Sequence, residues 1–126
     1  MKILCALLFV CNLVGAGYTV DGDTIHVGSQ SVRLAGVDSE ELNEPNGPAA
    51  KAAMRQIIQG HTITCEPNGK SYNRIVATCR TEAGLNINAE IIRQGYALDC
   101  ARYSNGIYRK YEPEGARAKL IQKPYC

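Results

Sequence analysis

The chain has 126 residues, which suits one domain that can bury its own hydrophobic core. It carries 14 Lys and Arg residues against 12 Asp and Glu residues, so its formal net charge is only +2. This balance excludes a protein that binds nucleic acid through bulk positive charge, so any anion site must be local. A hydrophobic content of 45% is typical of a folded globular chain.

The N-terminus has the pattern of an export signal. Lys2 precedes the apolar run ILCALLFVCNLVG, which is too short to span a bilayer with margin. Val14 and Ala16 fit the small-residue pattern before a cleavage site. We therefore predict a cleaved signal peptide over residues 1–16 and a mature domain over residues 17–126. An uncleaved anchor and a buried first strand are the alternatives.

The cysteines after residue 16 indicate disulfides, because their number is even and the chain is predicted to be exported. They are Cys65, Cys79, Cys100 and Cys126. Their spacing contains no CxxC pair, which argues against a zinc site. We favour the pairs Cys65–Cys79 and Cys100–Cys126, because the first two cysteines lie on successive predicted strands. Buried free thiols are the alternative.

The first predicted elements are a strand pair and a helix. The segment TIHVGSQSVRL predicts two strands joined by a turn at residues 28–30. After the loop NEPNGP, the segment PAAKAAMRQIIQG predicts a helix, with Pro48 in its first turn and Gly60 just past its end. The apolar stripe of this helix consists of Ala50, Ala53, Met54, Ile57 and Ile58.

The C-terminal half predicts further strands and helices. HTITCE and RIVATCRT are predicted strands, separated by the turn-rich segment PNGKSYN. Asn88 can cap a short helix over AEIIRQ that Gly95 ends. YALDC is strand-like, and the tail has weak helical spacing interrupted by Pro113 and Gly115. Short strands with glycine turns and separate helices indicate a small barrel with helices packed on it.

Acidic and basic residues occur at three points along this framework. Asp21 and Asp23 are two residues apart, so in an extended chain both carboxylates can face one ion. Asp38 follows the strand that holds Arg33, and Arg74 opens a later strand. Carboxylate oxygens without a nearby histidine or thiol suit calcium or magnesium. A pair of arginines matches the oxygens of a phosphoryl group.

Each feature is weak by itself. Asp pairs near turns are common on protein surfaces, so a solvated turn also explains the DGD motif. Tyr72, close to Arg74, can stack on a base or simply pack. Tyr96 and Tyr103 are expected to lie in the core. The order of the motifs is more specific than any one of them.

That order resembles the staphylococcal nuclease-like, or thermonuclease, family. The segments that match are DGDTIHV, VRLAGVDSEEL, GPAAKAAMRQII, SYNRIVATC and IIRQGYALD, within residues 18–103, with a looser match in the tail. The resemblance implies an α+β, mainly β fold, namely a five-stranded OB-fold barrel with about three packed helices. It also implies a calcium-dependent phosphodiesterase that acts on DNA and RNA with little base preference.

The same resemblance assigns roles to single residues. The metal-binding carboxylates of the family match Asp23 and Asp38, the metal-binding backbone carbonyl matches Ser39, and Asp21 lies close behind these ligands. The phosphate-binding arginines match Arg33 and Arg74, the general base matches Glu41, and the nucleotide-contacting tyrosine matches Tyr72.

Two residues near this motif need their own explanation. Because Arg33 and Asp38 are an odd number apart, a regular strand would send them to opposite faces, so we expect a bulge or bend at Gly36. Glu40 stands where family members usually have proline. In an extended segment it points away from whatever Glu41 faces, so we expect Glu40 to be a solvated surface acid.

The sequence therefore favours a secreted or periplasmic endonuclease that binds Ca²⁺ and takes DNA and RNA as substrates. We expect a monomer with no stable membrane association after signal cleavage. A noncatalytic nucleic-acid-binding OB-fold domain is the alternative, and it predicts loss of site acids or arginines, all of which are present. A disulfide-stapled interaction module explains the cysteines but not the order of acids and arginines.

Overall fold

The structure, a computed structural model, describes residues 2–5, 11–71 and 73–126. Its strands are β1 (Lys2–Cys5), β2 (Cys11–Thr19), β3 (Thr24–Val27), β4 (Gln30–Leu34), β5 (Val37–Asp38), β6 (Thr62–Ser71), β7 (Arg74–Thr81) and β8 (Leu98–Asp99). The helices are α1 (Gly47–Ile58), α2 (Ile87–Arg93), α3 (Ala101–Ser104) and α4 (Ala116–Lys119), with a 3₁₀ turn at Arg109–Tyr111.

The larger sheet closes into a barrel. Its order is β1-β2-β3-β4-β7-β6, and an additional pairing of β2 with β6 closes the ring, so that β1 lies outside it. Strands β4 and β7 run parallel, whereas the other barrel pairs are antiparallel. Strands β5 and β8 form a separate two-stranded sheet. This arrangement confirms the predicted α+β, mainly β barrel with packed helices.

One apolar core fills the barrel and joins it to α1 and α2. Its largest fully buried side chains include Ile25, Leu34, Met54, Ile58, Ile63, Ile87, Ile91 and Ile92. The predicted apolar stripe of α1 is confirmed, since all five of its residues are buried. Burial of this stripe holds α1 against the barrel and fixes the loop that precedes the helix.

Most element boundaries follow the sequence pattern, with one clear exception. The turn between β3 and β4 and the whole of β7 lie where predicted. Strand β6, in contrast, continues through the predicted turn as far as Ser71, with a register shift between Pro67 and Gly69. The irregularity at this point keeps the ladder paired past the proline.

The predicted N-cap of α2 at Asn88 is wrong, because Asn86 is the capping residue. The helix begins after Asn86, whose side chain accepts a hydrogen bond from the Ala89 N–H. Asn88 is fully buried. Its side chain accepts from the Cys79 N–H at 3.0 Å and donates to the carbonyls of Ala35 at 3.0 Å and Ala77 at 3.2 Å. Asn88 therefore ties α2 to β7 and to the turn after β4.

The predicted signal segment contributes to β2 in this structure. Residues 13–16 pair with β6, and residues 17–19 pair with β3. Cleavage after Ala16 would remove the pairing with β6 and the buried side chain of Leu13. The cleavage site stays a prediction. Within the described ranges, no helix is both long and apolar enough to cross a membrane.

The two predicted disulfides, Cys65–Cys79 and Cys100–Cys126, are both present. Cys65 and Cys79 are register partners on β6 and β7, with Cα atoms 4.0 Å apart. Cys100 and Cys126 link the residue after β8 to the last residue of the sequence, with Cα atoms 4.8 Å apart. The described part of the chain contains no free cysteine. The second bridge fixes the C-terminal tail against the barrel.

Replacing Asn88 by alanine should lower the free energy of unfolding by about 3 kcal/mol, because a buried N–H and a buried carbonyl lose their partner. The Asn86→Ala variant is the control and should cost only about 1 kcal/mol, the usual cost of losing a helix cap. Urea unfolding of both variants measures the difference. Equal, small losses would contradict the bridging role of Asn88.

Candidate functional site

A bend in the backbone at Gly36 brings Asp38 towards the other site residues. Strand β4 ends at Leu34, and Gly36 adopts a left-handed conformation with φ of 71°. A Cβ atom at Gly36 would lie 2.6 Å from the Cβ of Ser104, so only glycine fits here. The chain then pairs with β8 through β5. The expected bend at Gly36 is thus present. Because of it, the Asp38 side chain no longer follows the alternating side-chain directions of β4.

Asp23 is the buried centre of the site. Its Oδ2 accepts a hydrogen bond from the Ser39 N–H at 3.0 Å and lies 3.3 Å from Nη2 of Arg33. Its Oδ1 accepts from the Thr24 hydroxyl at 3.3 Å. The Asp23 N–H in turn donates to Oδ1 of Asp21 at 3.0 Å. This carboxylate therefore joins the DGD turn to the segment after β5.

The glycine of the DGD turn is required by packing. A Cβ atom at Gly22 would lie 2.6 Å from the Ser39 hydroxyl and 2.7 Å from the Cβ of Ala50 on α1. Only a residue without a side chain lets the turn approach Ser39 so closely. Gly22 thus sets the distance between the two acidic segments.

The arginines extend from two neighbouring parallel strands. Arg33 on β4 donates to the carbonyls of Leu34 at 2.9 Å and Asp23 at 3.3 Å. Arg74, the first residue of β7, donates to the Thr24 hydroxyl at 3.4 Å. Both arginines line a cavity of about 520 Å³ that Lys70, Tyr103 and Tyr125 also line. An anion in this cavity would therefore meet both guanidinium groups.

A lysine from the C-terminal tail binds the remaining acids. The Lys123 ammonium lies 2.7 Å from the Ser39 carbonyl, 2.9 Å from Oδ1 of Asp38 and 3.5 Å from Oε1 of Glu41. The Lys123 backbone N–H also donates to Oδ2 of Asp38 at 2.9 Å. Burial lowers the pKa of Lys123, but Asp38, Asp23 and Glu41 outweigh it, so the pKa lies above its ordinary value. Lys123 is thus a cation held by carboxylates.

Glu40 is buried, so the expectation of a solvated surface acid is wrong. Its side chain accepts hydrogen bonds from the Asn46 N–H at 2.9 Å, the Asn46 amide at 2.7 Å and the Ile121 N–H at 3.0 Å. Burial by itself raises the pKa of Glu40. The hydrogen-bond donors and the positive charge of Lys123 outweigh burial, so the pKa lies below its ordinary value. The face that Glu40 occupies is covered by Asn46 and by Ile121 of the C-terminal tail, which explains why it is not solvated.

The oxygens around the Lys123 ammonium fit a hard cation. Ser39 O, Asp38 Oδ1 and Glu41 Oε1 already surround a positive charge, and oxygen donors of this kind suit calcium. In the described ranges, no three or more His, Cys, Asp or Glu side chains are grouped so that they could hold a metal ion. The backbone carbonyl of Ser39 would therefore be a necessary ligand. These oxygens are of the kind that a hard divalent cation prefers, and in this structure the Lys123 ammonium is the cation that they contact.

The hydrogen bonds and ion pairs connect seven of the sequence-predicted site residues. They are Asp21, Asp23, Arg33, Asp38, Ser39, Glu41 and Arg74. Tyr72, predicted to contact nucleotide, lies outside the described residues. Tyr103, expected in the core, is instead 61% exposed beside the cavity. Sequence reasoning missed Lys123 and Tyr125, since no local pattern marks either one.

The DGD turn generates a prediction about pH. Burial and the negative charge of Asp23 raise the pKa of Asp21 from 3.8 to about 6. An acid with a raised pKa in the folded state costs stability as the pH rises from about 4 to 6. Without divalent ions, Asp21→Asn should therefore raise the free energy of unfolding at pH 7 by an amount of the order of 1 kcal/mol, allowing for solvent screening.

Urea unfolding in chelator at pH 4 and pH 7 tests this expectation. The gain of Asp21→Asn should be several-fold smaller at pH 4, where the folded carboxyl is protonated and the unfolded one, with a pKa of 3.8, is only about half ionised. Glu114→Gln, at an exposed position, is the control for removing one negative charge. A loss of stability at pH 7, or an equal gain at both pH values, would contradict the assigned shift.

Comparisons with known proteins agree with this arrangement. The family model described as staphylococcal nuclease homologue matches residues 31–123. This range contains Arg33, Asp38, Ser39, Glu41 and Arg74 and extends to Lys123.

Individual relatives have similar sequences over most of this chain. Succinoglycan biosynthesis protein ExoI of Rhizobium meliloti is 30% identical over 108 residues, covering 76% of this chain and 56% of that protein. Endonuclease YhcR of Bacillus subtilis is 31% identical over 82% of this chain and 10% of its own length. An uncharacterized endonuclease of Haemophilus influenzae is 31% identical over 80% of this chain and 60% of its own length. Since the family model covers more than half of the sequence, the chain belongs to the staphylococcal nuclease homologue family.

Proposed function

We propose that this protein is an endonuclease that hydrolyses phosphodiester bonds of DNA and RNA, depends on calcium and has little sequence preference. The observation that carries the proposal is the meeting of both arginines, the Asp23 carboxylate and a cation position at one edge of the barrel. Family membership and relatives named as endonucleases support nuclease activity. The chain spans 60% or less of each relative described above, so the proposal concerns this domain's own residues.

The arginines are suited to hold the scissile phosphate. Guanidinium groups match phosphoryl oxygens in geometry and stabilise the charge that develops during phosphoryl transfer. Arg33 is pre-oriented, because its hydrogen bonds to backbone carbonyls and its ion pair with Asp23 fix the side chain. Arg74 has only the hydroxyl of Thr24 as a partner at 3.4 Å among the contacts described, so most of its donors are available to a phosphate.

Glu41 is suited to be the general base. Its side chain is 55% exposed, so a water molecule and a substrate phosphate can both reach the carboxylate. It lies beside the cation position, where a base can take a proton from an attacking water. Gly47 at the start of α1 packs against the Glu41 carbonyl, where a Cβ atom would lie only 1.8 Å away. This contact fixes the backbone that carries the base.

Calcium would be held by Asp38, the Ser39 carbonyl and Asp23, with Asp21 behind Asp23. When bound, the ion supplies positive charge that neutralises phosphate oxygens. The chain prepares the ligands itself: the Lys123 N–H orients Asp38, and the Ser39 N–H orients Asp23. Hydrogen bonds of this kind hold carboxylates in place for a metal.

The cavity beside the arginines is suited to a nucleotide. Tyr103 and Tyr125 lie on one wall, with ring centroids 6.3 Å apart in an edge-to-face arrangement, and Lys70 lines the same cavity. Both rings are partly exposed, so each can stack on a base. Because every base has a stacking face, such contacts confer little sequence preference. The exposed tyrosines therefore support a substrate of mixed sequence.

We further propose that the protein acts as a monomer outside the cytoplasm, either secreted or periplasmic. The disulfides Cys65–Cys79 and Cys100–Cys126 support this location, since such bonds persist in oxidising compartments. The export signal over residues 1–16 is part of the same proposal.

Purified protein should cut plasmid DNA and RNA in calcium, and chelator should abolish cutting. Magnesium should support activity poorly, because its strict octahedral geometry suits this carbonyl and carboxylate set less well.

Arg74→Ala and Glu41→Gln should each lower turnover by about two to four powers of ten, the scale for a charge-stabilising group or a general base.

Arg55→Ala and Glu114→Gln, at exposed positions, are the matched controls and should cut like the unmodified protein. Full activity in chelator would refute the calcium assignment. Binding of nucleic acid without cutting under every condition would instead favour a noncatalytic nucleic-acid-binding domain.

A further inference from the structure

We propose that the Lys123 ammonium is a built-in competitor for the cation position, which it holds until a divalent ion displaces it. This inference deepens the proposed function and rests on its calcium site. The tail that carries Lys123 is far from the acids in sequence, since Lys123 and Asp38 are separated by 85 positions. The contact is therefore made by the fold and not by a local motif.

The competition follows from which atoms Lys123 uses. Its ammonium binds Asp38 Oδ1 and the Ser39 carbonyl, the same oxygens assigned to the calcium ion. The Asp38 side chain is completely buried, and its other oxygen already accepts the Lys123 backbone N–H. Asp38 therefore has no exposed oxygen to offer a metal while the ammonium is in place.

Charge also prevents the ammonium and a divalent ion from sharing the position. Two cations that contact the same carboxylate oxygen and the same carbonyl lie only a few ångströms apart and repel each other. Without either cation, Asp38 and Glu41 would lie close together with less positive charge to balance them. A resident ammonium thus stabilises the acids of the metal-free protein at the expense of metal affinity.

The exchange requires movement of one side chain only. The tail is anchored independently of the ammonium by the Ile121 N–H on Glu40, by the Gln122 amide on the Asp99 carbonyl, and by the disulfide at Cys126. The Lys123 side chain is 20% exposed, so the ammonium has a path to solvent. The backbone N–H can keep orienting Asp38 after the ammonium leaves.

The size of the effect follows from the population of the open site. The apparent dissociation constant of a ligand rises in proportion as the competent state becomes rarer. If the ammonium occupies the position for about nine-tenths of the time, calcium should bind about tenfold more weakly than to an open site.

Titration calorimetry with calcium chloride tests this directly. Lys123→Met keeps the length of the side chain and removes its charge, so it should bind calcium about tenfold or more tightly than the unmodified protein. Lys119→Met is the matched control: it removes one positive charge from an exposed position on the same tail and should change affinity by less than about twofold. Equal affinity of Lys123→Met and Lys119→Met would overturn the proposal.

The ¹⁵N signal of the Lys123 ammonium gives a second readout on the unmodified protein, which does not depend on how the variant folds. The signal should be that of an ion-paired lysine in chelator and should shift to the position of a solvated lysine as calcium is added. A signal that stays unchanged while calcium binds would also overturn the proposal.

A cutting assay separates this inference from the proposed function. If Lys123→Met binds calcium more tightly but neither it nor the unmodified protein cuts nucleic acid, the competition stands and the nuclease proposal fails. If the unmodified protein cuts fully in chelator and Lys123→Met does not cut, the lysine replaces the metal and the competition is refuted.

Discussion

The hydrogen bond from the Ser39 N–H to Asp23 is the interaction on which the rest of the site depends. It joins the turn before β3 to the segment after β5, so that the acids of the two segments face one position. Gly22 lets the turn lie close to Ser39, and the bend at Gly36 turns the chain that leads to Asp38 and Ser39. The carbonyl of Ser39 accepts a hydrogen bond from the Lys123 ammonium. One residue thus orients a carboxylate through its N–H group and provides a ligand through its carbonyl.

The C-terminal tail is part of this site, because its Lys123 contacts Asp38 and Ser39. Arg117 binds Glu112 through two contacts of 2.8 Å and also donates to the Asp99 carbonyl, while the Asp99 N–H donates to Glu112. This network attaches the tail to β8, which pairs with the strand that carries Asp38. Because charged partners inside the network satisfy each other, breaking one leaves another buried and unpaired. The position of the C-terminal tail and the position of Asp38 therefore depend on each other.

Much of the barrel could be predicted because its strands and helices depend on short-range patterns, whereas the roles of the acids and arginines came from the resemblance to a family. The strands around residue 28 and the apolar stripe of α1 follow from periodicity. The burial of Glu40 could not be predicted, because the Ile121 N–H that binds it belongs to the C-terminal tail, 81 positions away in sequence. Lys123 could not be predicted, since its partners lie more than 80 residues away in sequence and only the closed fold brings them together.

The central claim is that one position, between the Ser39 carbonyl and Asp38, holds either the Lys123 ammonium or a divalent ion. A crystal structure determined with bound calcium tests it most directly. The account predicts the ion on Ser39 O and Asp38 Oδ1, with the Lys123 side chain turned to solvent and its backbone N–H still on Asp38. A bound calcium ion elsewhere, with the ammonium still between Ser39 and Asp38, would contradict it.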